Sequence, residues 1–143
     1  MLTSSDCLTP EWQAPSNVRT LVTTRRGGVS EPPYDSLNVG IAVGDHPEAV
    51  AENRARLTAL LPGAPRWLRQ VHGNAVVEAD DVTVPVEADG AFTRTPGVVC
   101  VVQMADCMPV LFAADDGSVV AAAHAGWRGL ASGILAVSYT HLT

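Results

Sequence analysis

"PVLFAADDGSVVAAAHAGWRGL", residues 109–130, decides the fold. Two apolar runs of strand length flank Asp115, Asp116 and Gly117, the acid and glycine combination that a tight hairpin turn favours. A two-residue turn at Asp116 and Gly117 places Asp115 opposite Ser118 and Cys107 opposite Gly126; a turn one residue wider places Cys107 opposite Ala125. Either way the thiol lies one or two positions from His124. A one-residue slip reverses the face of every side chain, and Pro109 withholds a ladder hydrogen bond, so the pattern predicts proximity before facing. After Gly126, "WRGLASGILAV" turns helical, with Trp127 and Arg128 in a first turn whose outward N–H groups favour anions.

Outward from this stretch, "VVCVVQM" (98–104) reads as another strand with Cys100 in the core. "VRTLVTT" (18–24) alternates and is rich in branched residues, which predicts a strand; "RRGGVSEPPYDSLNVG" then has the composition of a long loop, a length usually kept for function. "DHPEAVAENRARLTALL" predicts a helix capped by Asp45 or His46, with Pro47 in its first turn. Val50, Leu57, Leu60 and Leu61 form its apolar stripe, Asn53 makes a buried structural hydrogen bond, and Pro62 and Gly63 end it. "RWLRQV" and "AVVEA" flank "HGN", which predicts two strands joined at a tight turn with His72 at the first corner. No repeat or linker interrupts the chain. The expectation is a single α+β domain over residues 1–143, with a mixed or largely antiparallel sheet and helices packed on it.

Composition narrows the function classes. The chain has 143 residues and 47% apolar content, enough for one core. All nine cations are arginine and none is lysine, which excludes a Walker-type phosphate loop and Schiff-base chemistry. Residues 75–143 hold two arginines against eight acids and carry the whole net charge of −6, a balance that disfavours nucleic acid. The longest apolar runs are strand-length, so no membrane helix is expected, and the N-terminus lacks an export signal, which predicts a cytoplasmic protein. Three cysteines, an odd number, argue for free thiols or a metal ligand.

His72, Cys107 and His124 form the candidate constellation. Two imidazoles and a thiolate make a three-ligand set that leaves zinc a fourth position for water or substrate. None of the short Cys-x-x-Cys or His-x-x-x-His pairs is present, so on spacing alone ordinary buried residues are the favoured reading and a metal set the alternative. Arg25 and Arg26, before two glycines, fit a phosphate or a solvated turn. Arg128 calls for an anionic partner: Asp106, Asp89 or a substrate phosphate, with a salt bridge the favoured answer. Asp106 fits a proton-transfer group, an acceptor orienting an imidazole, or a turn. Trp127 and Phe92 fit a purine stack or the core. Cys107 with His124 as its base would suit a cysteine hydrolase. Two His, one Cys and Met104 or Met108 would suit copper, although four histidines are too few for a multicopper oxidase.

"TTRRGGVS", "SLNVG", "VGDHPEAVAENRARL", "QVHGNAV", "ADGAFTRTPGVVCVV", "MADCMPVLF" and "VAAAHAGWRGL" together resemble the laccase-domain family, also called polyphenol oxidase or peptidoglycan-editing-factor proteins. The resemblance runs from about Val18 to about Val137. It implies a laccase-domain, cysteine-hydrolase-like fold. It also implies a zinc-dependent purine nucleoside phosphorylase acting on adenosine, inosine, guanosine or methylthioadenosine, with adenosine deaminase activity. The alternatives are a Cys-His hydrolase editing peptidoglycan precursors and a copper-dependent polyphenol oxidase. The implied metal ligands are His72, Cys107 and His124; the catalytic residues are Cys107, His124 and Asp106; Arg25, Arg26 and Arg128 bind substrate phosphate. Zinc is the implied cofactor, with copper as the minor alternative, and a purine nucleoside and phosphate are the partners of a monomer or homodimer. No "H-x-E" glutamate accompanies a ligand histidine, so the proton shuttle is unassigned. The resemblance implies further chain beyond the "GWRG" helix. The fold is therefore expected to be incomplete at its C-terminus, and "SYTHLT" (138–143) to be a non-native or disordered tail.

Overall fold

The computed structural model describes residues 2–104 and 107–140. The chain forms two compact units, one of Met1–Gln13 with Arg19–Pro62 and one of Ala14–Val18 with Gly63–Thr143. Both fall within an α+β architecture with mixed sheets and packed helices, as the sequence predicts.

The first unit is mostly loop held on one helix, α1 (Pro47–Thr58). Pro47 opens it at a position where a missing N–H costs nothing, and His46 is the N-cap, without a side-chain cap bond. Asp45 accepts the His46 N–H at 2.8 Å and holds Ser30 Oγ at 2.5 Å. Val50, Asn53 and Leu57 form the buried stripe, while Leu60 and Leu61 lie past the helix end. Asn53 is fully buried: it accepts from Val29 N at 2.8 Å and donates to Ser30 Oγ at 2.8 Å and Asn38 O at 2.7 Å. The long loop is thereby fastened to the helix by hydrogen bonds through Asn53. A strand over 18–24 does not form: among the described residues its ladder is a single antiparallel bridge, Leu8 with Val22. The alternating pattern was real, but no second pair of backbone groups is there to extend the ladder.

Among the described residues the second unit carries six short strands: β1 (Pro65–Arg66), β2 (Val76–Glu78), β3 (Gly90–Thr93), β4 (Val99–Cys100), β5 (Met108–Ala113) and β6 (Val120–Ala125). The main sheet has the order β2-β3-β6-β5, with β2 and β3 parallel and the other pairs antiparallel; β1 and β4 pair in parallel apart from it. The expected hairpin around "HGN" is therefore absent, because β1 and β2 each pair elsewhere. Only Val99 and Cys100 of the expected strand 98–104 join a ladder. Gln70 instead binds the Gln103 backbone on both sides, donating to its carbonyl at 2.8 Å and accepting its N–H at 2.7 Å. Gly90–Thr93 is a strand that the hydrophobic pattern did not reveal.

The β5–β6 hairpin follows the two-residue-turn register, with Met108 opposite Ala125 and Pro109 opposite His124. The turn itself is wider, closing with Ala114 N to Val119 O at 2.9 Å. All residues of β6 after Val120 are buried, which explains its unbroken run of small side chains: the strand is covered on both faces. Ala123 and Ala125 pack with Ile134 on one face, and Phe92, Val119 and Ala121 form a cluster with Val76 and Phe112. Ala91, paired with Ala122, joins Leu68, Ala79, Val82 and Ala88 in another. The chain after Gly126 forms two helices, α2 (Trp127–Ser132) and α3 (Ile134–Thr140), where one was expected. Gly133, at φ 94°, makes the left-handed break between them. Ser138, Tyr139 and Thr140, read from the sequence as tail, belong to α3, and Ser138 is buried there; residues 141–143 lie outside the described residues. No helix is long and apolar enough to cross a membrane.

Candidate metal centre

His124 is the fifth residue of β6, and its backbone N–H bonds Asp89 O at 2.7 Å on the β3 side. In an antiparallel strand a residue's N–H and C=O point the same way, so the pair Pro109 and His124 is not hydrogen-bonded on the β5 side. Pro109 therefore costs the ladder nothing. Alternation sets His124 on the face of Ala122, and Cys107, two residues before its cross-strand partner Pro109, shares that face. Facing and proximity agree.

Gly126 sits opposite Cys107, and the space explains the glycine. A Cβ built there would lie 2.9 Å from Cys107 Sγ, too close for an ordinary contact, and 3.4 Å from His72 Cδ2, so any larger residue intrudes on the candidate thiol ligand. His72 reaches the same place from a turn in which it adopts φ 61°, left-handed for a residue with a side chain. The His72 and His124 rings meet edge to face with centroids 5.0 Å apart. One donor atom each from His72, Cys107 and His124 lie within 4.8 Å of one another. His72 is exposed, Cys107 half-buried and His124 buried. Tetrahedral zinc with nitrogen at about 2.0 Å and sulfur at about 2.3 Å needs donors about 3.3 to 3.6 Å apart, inside the 4.8 Å span of these atoms. The donor set thus fits a divalent ion in chemistry and in reach.

Behind the three donors lies a residue whose role the sequence reading missed. Asp89 is fully buried and places Oδ2 2.8 Å from His124 Nδ1. It also accepts Val71 N, His72 N and Gly73 N, each at 3.0 Å. Burial alone would raise its pKa, but the His124 bond and the three amides outweigh it, and the carboxyl is held below the ordinary aspartate value. This corrects the suggestion that Asp89 neutralises Arg128. Among the described residues Arg128 makes no salt bridge, and its guanidinium lies 5.3 Å over the exposed Trp127 ring. Phe92 is core. Arg25 belongs to the first unit and bonds Asp35 through Nη2 at 3.4 Å and Nε at 3.1 Å; Arg26 is exposed in the same loop. Asp106 lies outside the described residues. Cys100 is a half-buried thiol pushed up to about 12 by desolvation, with Asp80 adding to it, and is not among the three clustered donors.

Residues 19–143 match the family described as multi-copper polyphenol oxidoreductase laccase. A purine nucleoside phosphorylase of Pseudomonas aeruginosa is 58% identical over 128 residues, covering 90% of this chain and 52% of that protein. The purine nucleoside phosphorylase YfiH of Escherichia coli is 51% identical over 134 residues, covering 92% and 55%. The crystal structure of a Neisseria meningitidis protein superposes with a TM-score of 0.92 at 47% identity, covering 96% of this chain and 57% of its own. YlmD from Geobacillus stearothermophilus gives 0.80 at 35%, covering 94% and 54%. The chain spans about half the length of the curated relatives it matches.

Proposed function

The chain belongs to the multi-copper polyphenol oxidoreductase laccase family, and from that premise we propose that it carries the zinc centre of a purine nucleoside phosphorylase, held by His72, Cys107 and His124. The observation that carries this reading is the convergence of three donor atoms within 4.8 Å, in a chain whose relatives bear that enzyme's name. Two imidazoles and one thiolate suit zinc, with copper the alternative ion, and three protein ligands leave a position open. When bound, the ion supplies a Lewis-acidic charge that polarises an oxygen of phosphate or water.

The chain's own residues supply orientation and charge. Phosphorolysis forms a bond from a phosphate oxygen to ribose C1′ and breaks the bond from C1′ to the purine nitrogen. The purine leaves with the electron pair and takes up a proton. Arg25, Arg26 and Arg128 are the proposed phosphate-binding cations, and Asp106 the proposed proton carrier. Trp127 offers an exposed ring for the purine. Adenosine deamination, in which water adds at C6 and ammonia leaves, is the proposed second activity.

One observation favours a second reading. A thiol, an imidazole and a buried carboxylate follow one another as Cys107, His124 and Asp89, the order a cysteine nucleophile uses. A single experiment separates the two readings. The protein is assayed with adenosine and inosine, with and without phosphate and a chelator, and products are identified by chromatography. Free purine and ribose 1-phosphate that need both phosphate and the metal are expected, with inosine formed from adenosine marking the deaminase branch. No metal uptake together with covalent labelling of Cys107 by an acylating substrate would overturn the phosphorylase reading in favour of the hydrolase.

A further inference from the structure

We infer that Asp89 is the positioning residue of this centre, one buried carboxylate that fixes the ring of His124 and the backbone of His72 together. The inference rests on the metal reading above for its functional meaning, but its geometry stands alone. Oδ1 accepts Val71 N and Gly73 N; Oδ2 accepts His72 N and His124 Nδ1; all four distances are 2.8 to 3.0 Å. An ionised carboxylate accepts and does not donate, so a proton must sit on His124 Nδ1. A neutral imidazole carrying that proton presents the bare Nε2 lone pair to a ligand. The three amides do the same work for the partner histidine. They hold Val71–Gly73 in a turn wrapped around the carboxylate, with His72 kept at φ 61°, a left-handed conformation that side-chain-bearing residues rarely adopt. Asp89 is itself held at both ends, its N–H on Ala75 O at 3.0 Å and its C=O on His124 N at 2.7 Å.

Asparagine cannot substitute. With its oxygen toward Val71 and Gly73, its amide N–H groups confront the N–H of His72 and force the His124 proton to Nε2. With its oxygen toward His72 and His124, the amide confronts the other two N–H groups. Both placements set donor against donor.

The test is the tautomer of His124 in the intact, metal-free 143-residue protein, read from long-range ¹H–¹⁵N correlations at neutral pH. A proton on Nδ1 is expected; a ring protonated on Nε2 alone overturns the inference. Asp89→Asn should shift the tautomer and weaken zinc binding about 10- to 100-fold, whereas Asp45→Asn, the same chemical change in the first unit, should leave zinc affinity within about twofold. An Asp89→Asn protein that folds and binds zinc as tightly as the native one also overturns it. If that variant does not fold, the native tautomer decides. If the native protein takes up no zinc, the metal reading fails and the tautomer still decides the role of Asp89.

Discussion

Asn53 and Asp89 are both fully buried polar residues that organise a loop, one in each unit, and they differ by a single group. Asn53 faces one donor, Val29 N, and one carbonyl, Asn38 O, together with the Ser30 hydroxyl. A side-chain amide accepts from the first and donates to the second, which an ionised carboxylate cannot do. Asp89 faces three backbone N–H groups and the His124 Nδ1 atom, and a carboxylate accepts from all three amides through its two oxygens. The sign of the surrounding backbone thus selects the side chain. The same hydrogen-bonding logic gives a fastened loop in the first unit and, in the second, two aligned imidazoles.

The comparison breaks most visibly at the donors themselves. Cys107→Ser should reduce zinc affinity by about a thousandfold or more, since one of only three ligands is lost, as read by competition with a chromophoric chelator. Asn53→Asp should leave zinc affinity of the folded protein unchanged but lower stability by about 3 kcal/mol in urea unfolding, because a carboxylate would confront the Asn38 carbonyl. An unchanged urea midpoint would mean the amide is not selected by its neighbours. Gly126→Ala should weaken zinc binding about tenfold by crowding Cys107 Sγ, with little change in urea midpoint.

A smaller effect concerns pH. Thr93 and Thr95 hydrogen bonds hold Asp80 below its ordinary value of 3.8. A depressed folded-state pKa gives a stabilisation that is present above the unfolded value and lost as pH falls through the folded one. The native urea midpoint should therefore fall more steeply than that of Asp80→Asn between about pH 5 and about pH 3. Smallest of all, iodoacetamide at about pH 8 should leave Cys100 unmodified in the folded protein, since its thiol is held as S–H.

The sequence made the hairpin legible because turn chemistry is local. An acid-glycine turn fixed the register of β5 on β6, and that register brought Cys107 beside Gly126 and onto the face of His124. The parallel pairs were not legible, since β2 and β3 meet through no turn, and neither was β1 on β4. Asp89 was hidden for a related reason. Standing before glycine in "EADGAF" it reads as a turn acid, and its four partners lie 16 to 35 residues away. For Arg128 a cation in a helix first turn suggests a salt bridge; among the described residues, which do not include Asp106, its guanidinium rests over Trp127.

The most direct measurement is zinc K-edge absorption of the loaded protein. One sulfur at about 2.3 Å and two imidazole nitrogens at about 2.0 Å are expected in the first shell, with the sulfur absent in Cys107→Ser. A shell without sulfur in the native protein, or one unchanged by that substitution, would contradict the convergence of residues 72, 107 and 124 on a single ion.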